Sequence, residues 1–260
     1  MPKTIVITGA ASGFGRLVAF ELARRGNDVI ATARGWSQVT ELKNVAAAEG
    51  LSMRVDKLDV TSARDREMAF GWDVDVLLSD AGVMEAGPIA EQPIELLREM
   101  FDVNFFAAVE LVQGFARQFV DRGSGKIVFV SSMGGLLTTP YAAGYCATKH
   151  ALEAVAEGLK VELEPFGIKV ATANPGVFAT GFNDRGADSM RWYDPERNFT
   201  RPESLGAATD VLAHQLDPRS MAEAIVQVVL SDNGRFRTVH PKETEDLVRQ
   251  SQHDAWTAVS

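Results

Sequence analysis

The sequence predicts a single α/β domain in which a doubly wound parallel sheet of about seven strands carries helices on both faces. Short runs rich in β-branched residues alternate with longer segments of helical periodicity, a pattern typical of βαβ units. A glycine-rich segment directly follows the first run and opens the first helix. No Pro/Gly/Ser-rich linker divides the 260 residues, so we expect residues 1–260 to form one domain.

The predicted strands are short and, in most cases, rich in Val and Ile, as in the first of them, Ile5-Val6-Ile7-Thr8. Such near-continuous apolar runs are typical of strands that helices cover on both faces. In chain order the predicted strands are residues 5–8, 28–31, 52–55, 74–78, 126–130, 168–171 and 237–239.

The predicted helices place apolar residues at i, i+3 and i+4, so that one stripe of each helix can pack on the sheet. Gly26, Gly50 and Gly167 stand where three of these helices are expected to stop. The helices cover residues 15–25, 36–49, 63–69, 93–120, 144–164 and 221–230, and a polar helix follows the last strand. Between residues 181 and 221 the alternation fails, and the chain is rich in Asp, Arg and aromatic residues.

Composition and charge restrict the classes of function. A formal net charge of -9 at pH 7 would repel phosphate backbones and anionic lipids, so neither a nucleic acid nor a membrane is expected as a partner. Cys146 is the one cysteine, which excludes an intrachain disulfide and a thiolate metal cluster and fits a reducing, cytoplasmic setting. The four histidines have no metal-ligand spacing, so no metal is expected. A small molecule is the expected partner.

The segment from Thr8 to Gly15 has the sequence Thr-Gly-Ala-Ala-Ser-Gly-Phe-Gly. Glycines at these positions let the backbone turn sharply and approach a pyrophosphate. The unpaired N–H groups and the positive dipole end of the following helix would then meet the phosphate charge. For the glycine triplet alone, a simple turn between strand and helix is the alternative.

The Gly-x-x-x-Gly-x-Gly spacing and several later motifs resemble the short-chain dehydrogenase/reductase family. Those motifs are Asp59-Val60 after the third strand, Ser79-Asp80-Ala81-Gly82 at the end of the fourth, and Asn174-Pro175-Gly176 through Thr180 at the end of the sixth. The resemblance covers about residues 3–180 and implies a Rossmann-like fold that binds a nicotinamide dinucleotide. The cofactor-binding positions that it implies are Gly9, Ser12, Gly13, Phe14, Gly15, Asp59, Val60, Asp80, Ala81, Gly82, Tyr145, Lys149, Pro175, Gly176, Val177 and Thr180.

The end of the second strand bears on the choice between NAD and NADP. An acidic residue there would bond the ribose 2′-hydroxyl and repel a 2′-phosphate. This chain has Ala33-Arg34 instead, so a guanidinium is available for a charge-assisted contact with a 2′-phosphate. We therefore predict NADP(H) as the cofactor, with NAD less favoured; the alternative is that Arg34 is a solvated loop residue.

Tyr145 and Lys149 lie four residues apart at the start of a predicted helix, so both side chains project from one face. An adjacent ammonium and a cationic nicotinamide would both favour the tyrosinate, which should lower the pKa of Tyr145 from its ordinary value of about 10. Tyr145 could then serve as a general acid–base. The resemblance implies that Lys149 also hydrogen-bonds the cofactor ribose. Alone, such a Tyr–Lys pair is usually structural.

Ser132 and Asn104 complete the set of residues that the resemblance implies. Ser132, thirteen positions before Tyr145, matches the family's serine that hydrogen-bonds the substrate oxygen, where its hydroxyl would steady developing alkoxide character. Asn104 matches the family's asparagine, which holds a water that relays protons to Lys149. Taken singly, Ser132 could be a helix cap and Asn104 a helix irregularity.

Asp80 departs from the family pattern, which has asparagine at this position. A carboxylate loses the amide donor and adds a charge close to the site. We expect Asp80 to be protonated or paired in the fold, and we expect activity to survive.

The family's substrate pocket is closed by the segment after the sixth strand, here residues 181–220. Residues 134–137 and 84–85 should also border the pocket, and Tyr141 should line it. Large side chains of the lid segment suit an apolar or aromatic substrate, unless they only pack the lid. Those side chains are Met190, Trp192, Tyr193 and Phe199.

The resemblance implies an oxidoreductase that transfers hydride between NADP(H) and a ketone or secondary alcohol, with reduction favoured by cellular cofactor ratios. A non-catalytic NADP-binding regulator on the same fold is the alternative, and a lyase or dehalogenase is a further one. Family architecture implies a homodimer or a homotetramer.

Overall fold

The sheet sets the architecture. The computed structural model describes residues 2–206 and 211–258, and its single domain is built on seven parallel strands in the order β3-β2-β1-β4-β5-β6-β7, which confirms the predicted fold class. The winding reverses between β1 and β4, so a crevice opens at the carboxyl ends of these two strands. The strands are β1 (Thr4–Ile7), β2 (Asp28–Ala33), β3 (Arg54–Lys57), β4 (Val76–Ser79), β5 (Gly125–Val130), β6 (Ile168–Pro175) and β7 (Arg237–His240).

Helices cover both faces of the sheet. Alternate residues of each strand point to opposite faces, so each strand contributes side chains to the core on both sides. In β1, Ile5 and Ile7 join the core beneath α1, α2 and α8, whereas Val6 joins the core beneath α5 and α6. The helices are α1 (Gly13–Arg24), α2 (Trp36–Ala48), α3 (Ala63–Ala69), α4 (Ile94–Phe101), α5 (Ala107–Arg122), α6 (Ala143–Leu163), α7 (Phe182–Asp188), α8 (Pro218–Leu230) and α9 (Lys242–Ala255).

The helix predicted over residues 93–120 is interrupted. A π-helical turn, Asp102–Phe106, joins α4 to α5, and Asn104 lies within it. A π turn inserts one residue without changing the general apolar periodicity, so the pattern does not reveal it. The third strand also begins later than predicted, at Arg54, because its pairing with β2 starts there.

The segment after β6 contains α7 and three short 3₁₀ turns, at Met190–Trp192, Pro202–Leu205 and Val211–His214. Residues 207–210, which belong to the predicted lid, lie outside the described part of the chain. Across the described ranges, no helix combines the length and apolar character needed to cross a lipid bilayer.

Candidate active site

A cleft of about 800 Å³ lies at the carboxyl ends of the strands, where the crevice was expected. The glycine loop, the ends of β4, β5 and β6, the start of α6 and the start of α7 form its wall. Gly15 and Asn104 are outside this wall and contact residues that form it. The predicted site residues that line it are Gly9, Ser12, Gly13, Phe14, Arg34, Asp59, Val60, Asp80, Ala81, Gly82, Ser132, Tyr145, Lys149, Pro175, Gly176, Val177 and Thr180.

The glycine loop packs closely on the end of β4. Gly9 has a φ of 72°, and a Cβ placed on it would lie 2.8 Å from the Cα of Ala81. The Thr8 hydroxyl accepts hydrogen bonds from the N–H groups of Asp80 and Ala81, each at 3.0 Å. A Cβ on Gly15 would lie 2.7 Å from Oδ2 of Asp80. Glycine is therefore required where this loop forms its cradle, and such a cradle suits the pyrophosphate of a dinucleotide.

Asn104 connects three segments from its buried position in the π turn. Its Nδ2 donates to the Val83 carbonyl at 2.8 Å and to the Thr148 hydroxyl at 3.1 Å, and its Oδ1 accepts from the Val83 N–H at 2.8 Å. The side chain thus ties the α4–α5 junction to the loop after β4 and to α6. Its predicted water-holding role stays a prediction.

Tyr145 lies on the first turn of α6 and is 8% exposed. Its hydroxyl is hydrogen-bonded to Ser132, and its ring centroid is 5.6 Å from that of Phe182. Burial raises the pKa of Tyr145 above its ordinary range, and the bond to Ser132 lowers it only in part. The lowered pKa expected from the sequence is therefore not what the protein alone produces, because desolvation disfavours the phenolate.

Lys149 is almost fully buried one helical turn after Tyr145. Its Nζ donates to the Val130 carbonyl at 3.0 Å and lies 5.8 Å from the centroid of the Tyr145 ring. Burial lowers the pKa of Lys149 to about 8, while the carboxylates of Asp80 and Glu153 oppose that shift. The side chain therefore remains mainly an ammonium at neutral pH.

Asp80 faces Lys149 from the end of β4. Desolvation raises the pKa of Asp80 to about 7, although the Lys149 ammonium and the Gly15 N–H both favour the charged form. The expectation that Asp80 is protonated or paired in the fold stays a prediction. Because the pKa in the fold exceeds that of an unfolded aspartate, this group lowers stability progressively as pH rises from about 4 to about 7.

The Asp80→Asn variant is expected to be more stable than the parent protein, by a margin that grows from pH 4 to pH 7 and then levels off. Asparagine has nearly the same shape as aspartate but does not ionise, so the variant avoids the unfavourable free energy of a carboxylate in the cleft. Melting temperatures measured from pH 4 to pH 8 should show a gain of about 2–10 °C at the upper end. Activity should stay within about tenfold of the parent. A stability difference independent of pH, or an activity gain of orders of magnitude, would contradict this account.

Arg34 lies at the far end of the cleft, with 77% of its side chain exposed. Its Nε is 3.3 Å from Oδ2 of Asp59, whose other oxygen accepts hydrogen bonds from Thr61. Sequence reasoning treated Arg34 and Asp59 separately and missed this pair, which forms between the ends of neighbouring strands β2 and β3.

The large side chains of the lid segment that were predicted to line the substrate pocket do not line the cleft, and Phe199 is 76% exposed. Met190, Trp192, Tyr193 and Phe199 are outside the cleft wall among the described residues. A Cβ on Gly87 would collide with the Trp192 indole, so this ring packs on the loop after β4.

That loop holds the lid segment by further contacts. Ser189 accepts a hydrogen bond from the Ala86 N–H at 3.0 Å, and Glu91 accepts from the Phe199 N–H at 2.6 Å and the Thr200 N–H at 3.0 Å. The lid is therefore held to the loop after β4 by these hydrogen bonds.

Other side chains form the substrate end of the cleft. Met84, Gly134 and Tyr141 line it as predicted, and Phe182 lines it from α7. Leu136 and Leu137, also expected at the border, are buried against Val248 of α9. Phe182 belongs to the lid segment predicted to close the pocket, although the prediction singled out other large side chains of that segment.

Within residues 2–206 and 211–258, no group of three or more His, Cys, Asp or Glu side chains is arranged to hold a metal ion. Cys146 is buried against Met100 and Tyr145, as expected of a packing residue.

Comparison with known proteins gives consistent matches. The family model described as short chain dehydrogenase matches residues 3–190. An uncharacterized oxidoreductase, YusZ, of Bacillus subtilis is 37% identical over 186 residues, which cover 68% of this chain and 66% of that protein. A 3-ketodihydrosphingosine reductase of Bacteroides thetaiotaomicron is 31% identical over 239 residues, covering 91% of this chain and 87% of that protein.

Solved structures match over nearly the whole chain. A short-chain dehydrogenase from Streptomyces avermitilis has a TM-score of 0.84 and 29% identity, covering 99% of this chain and 94% of that one. A short-chain dehydrogenase from Sphingobium yanoikuyae in complex with NADPH has a TM-score of 0.74 and 24% identity, covering 100% of this chain and 97% of that one. The second match supports the fold alone.

Proposed function

The chain belongs to the short-chain dehydrogenase family, and we propose that it uses NADP(H) to interconvert a ketone and a secondary alcohol. The observation that carries this proposal is the grouping of Ser132, Tyr145 and Lys149 in the cleft that the glycine loop also lines. A phenol hydrogen-bonded to a hydroxyl and backed by a buried ammonium is suited to proton transfer with a carbonyl oxygen.

The cofactor would occupy the cradle between the glycine loop and the ends of β4 and β6. Gly9, Gly13 and Gly15 leave the space that a side chain would fill, and the N-terminus of α1 presents its N–H groups there. Asp59 and Val60 would contact the adenine, and Lys149 the nicotinamide ribose. When bound, the nicotinamide ring supplies or accepts the hydride.

In the direction of reduction, Ser132 would hydrogen-bond the substrate oxygen and Tyr145 would donate its proton to it. The raised pKa of Tyr145 keeps the phenol protonated before reaction, which suits a proton donor. The Lys149 ammonium would stabilise the phenolate that remains, and a water held at Asn104 would restore the proton through Lys149.

Preference for NADP(H) over NAD(H) rests on Arg34. Its exposed guanidinium lies at the adenosine end of the cleft, where an acidic residue would otherwise stand. The ion pair with Asp59 engages Nε and leaves the rest of the planar fork available for a phosphate.

Arg34→Asp is expected to weaken NADPH binding by about 100-fold and to leave NADH binding unchanged or improved. The aspartate removes the phosphate contact and adds repulsion for the 2′-phosphate. Fluorescence titration with each reduced nucleotide measures both effects, and Arg34→Ala separates loss of the cation from the added repulsion. Equal NADPH affinity in Arg34→Asp and the parent would overturn the assignment.

An apolar or aromatic ketone is the proposed substrate, with residues 181–220 acting as the lid. Met84, Tyr141 and Phe182 give the substrate end of the cleft a largely apolar surface. The name of the Bacteroides thetaiotaomicron relative, a 3-ketodihydrosphingosine reductase, supports a ketone on an apolar chain.

The test follows NADPH absorbance while apolar ketones are screened, and NADP⁺ reduction while secondary alcohols are screened. Turnover that requires Tyr145 is the expected result. Saturable NADPH binding without turnover across the screen would favour the non-catalytic regulator instead.

We also propose that the protein is a cytoplasmic homodimer or homotetramer. The outward surface from α4 to α5 exposes Ile94 and Phe106, each about half exposed, next to Phe101. Apolar surface of this kind suits burial against a second copy. A strictly monomeric particle in light scattering would dismiss the assembly.

A further inference from the structure

A buried polar cluster stands behind Ser132 and Lys149 and is not part of the proton path described above. It joins Glu153 of α6, Thr172 and Asn174 of β6, and Arg237 of β7. Asn174 Nδ2 donates to Oε1 of Glu153 at 2.6 Å, and Asn174 Oδ1 accepts from the Thr172 hydroxyl at 2.9 Å. Arg237 donates to Oε2 of Glu153 from Nε at 3.0 Å and from Nη2 at 2.7 Å.

Glu153 is 4% exposed, and donors from Asn174 and Arg237 satisfy its buried carboxyl oxygens. Buried ion pairs of this kind contribute little to stability compared with well-packed apolar residues. Arg237 also bonds Glu157, at 2.7 Å, so its guanidinium is shared between two carboxylates. The Glu153 carboxylate can therefore also interact electrostatically with Lys149.

Two contacts lead from this cluster to the candidate site. Asn174 Nδ2 donates to the backbone carbonyl of Ser132 at 3.1 Å. The Glu153 carboxylate lies one turn after Lys149 on α6, and its negative charge favours the Lys149 ammonium. Gly135 permits this close packing, because a Cβ there would lie 3.0 Å from Cγ of Glu153 and 3.0 Å from the Lys149 carbonyl.

The other groups that face Lys149 are Asp80 at the end of β4, the Tyr145 ring on α6 and the Val130 carbonyl on β5. Asp80 lies at the cofactor side of the cleft, and its ionisation changes near neutral pH. Glu153, bonded by Arg237, is not among the residues that line the cleft.

We infer that Glu153 and Asn174 are positioning residues for the proposed reaction: Glu153 places a carboxylate behind Lys149, and Asn174 holds the main chain that carries Ser132. Arg237 holds the Glu153 carboxylate in the orientation that lets it face Lys149 and accept the hydrogen bond from Asn174. This inference rests on the proposed function, in which Lys149 and Ser132 act on proton and substrate.

Glu153→Gln tests the inference, with Glu157→Gln as the matched control. Both changes remove one carboxylate partner of Arg237, but Glu157 is mainly exposed and contacts neither Asn174 nor Lys149 in the described contacts. Glu153→Gln should lower kcat about tenfold and move the alkaline limb of the kcat–pH profile down by about one unit. Glu157→Gln should leave both within error. Equal behaviour of the two variants would overturn the inference.

A second measurement does not depend on turnover. The Cε resonance of Lys149 in ¹³C-lysine-labelled protein, assigned by its loss in Lys149→Met, reports the ionisation of Lys149 directly. Its titration midpoint should fall in Glu153→Gln and stay in place in Glu157→Gln. If the parent shows no turnover but the Lys149 midpoint falls in Glu153→Gln, the proposed function fails while the electrostatic effect of Glu153 on Lys149 stands. If the midpoint does not move in Glu153→Gln, that electrostatic effect is overturned.

Glu153→Asp separates charge from position should Glu153→Gln fold poorly. Aspartate keeps the negative charge but, being one methylene shorter, loses the bond to Asn174. The alkaline limb should therefore remain near that of the parent while kcat falls about tenfold. A kcat equal to that of the parent would overturn the positioning role of Asn174.

Discussion

Replacing Tyr145 with Phe is expected to lower kcat for ketone reduction by about three orders of magnitude while leaving the Kd for NADPH within about threefold. The substitution removes only the hydroxyl that bonds Ser132, and the ring can keep its packing against Phe182. Loss of the proton donor acts on the transition state, so it should lower kcat far more than it weakens cofactor binding. Single-turnover kinetics and fluorescence titration with NADPH measure the two quantities.

Tyr141→Phe is the matched control, since Tyr141 also lines the cleft but has no lysine one turn later on its own segment. Its kcat should stay within about fivefold of the parent. A Tyr145→Phe variant that keeps a tenth or more of the parent kcat would remove Tyr145 from the proposed chemistry.

The ionisation of Tyr145 bears on the direction of reaction. Burial raises its pKa, and the buried Lys149 ammonium 5.8 Å from the ring centroid does not reverse that effect in the protein alone. A protonated phenol can donate at neutral pH, whereas alcohol oxidation needs the phenolate. The protein by itself keeps the phenol protonated, and in the proposed mechanism oxidation would depend on the positive charge of the oxidised cofactor to favour the phenolate.

The fold was predictable from the sequence because local patterns encode it. Apolar runs of about four to six residues separated by helical periodicity identify a parallel sheet, and a glycine loop after the first strand marks the crevice. The Tyr145–Lys149 spacing likewise needs only the geometry of one helix to bring two side chains onto one face.

Features that depend on contacts between distant segments were not predictable in this way. The Glu153 cluster joins α6, β6 and β7, and the Arg34–Asp59 pair joins the ends of two strands. The sequence does not distinguish a Trp192 ring that faces the cleft from one that packs on Gly87, so only the structure shows where this ring lies. The raised pKa of Tyr145 depends on the burial of its whole side chain, which the sequence of one helix does not reveal.

Gly9→Ala is expected to weaken NADPH binding by at least about 100-fold. At φ 72° an alanine costs about 1–2 kcal/mol, and its Cβ would lie 2.8 Å from the Cα of Ala81, a backbone atom that cannot rotate away. The glycine loop must then move off the end of β4, which changes the spacing of the N–H groups that would hold the pyrophosphate. Isothermal titration with NADPH measures the loss.

Gly26→Ala isolates the backbone strain from the collision, because Gly26 has a similar φ of 77° but no atom within 4 Å of an added Cβ. Gly26→Ala should lower the melting temperature by a few degrees, about as much as the strain alone requires, and leave the Kd for NADPH unchanged. The comparison therefore distinguishes a loop that merely needs glycine to turn from one that needs glycine to approach β4. Equal NADPH affinity in the two variants would mean that the close approach of Gly9 to Ala81 has no part in forming the cofactor cradle.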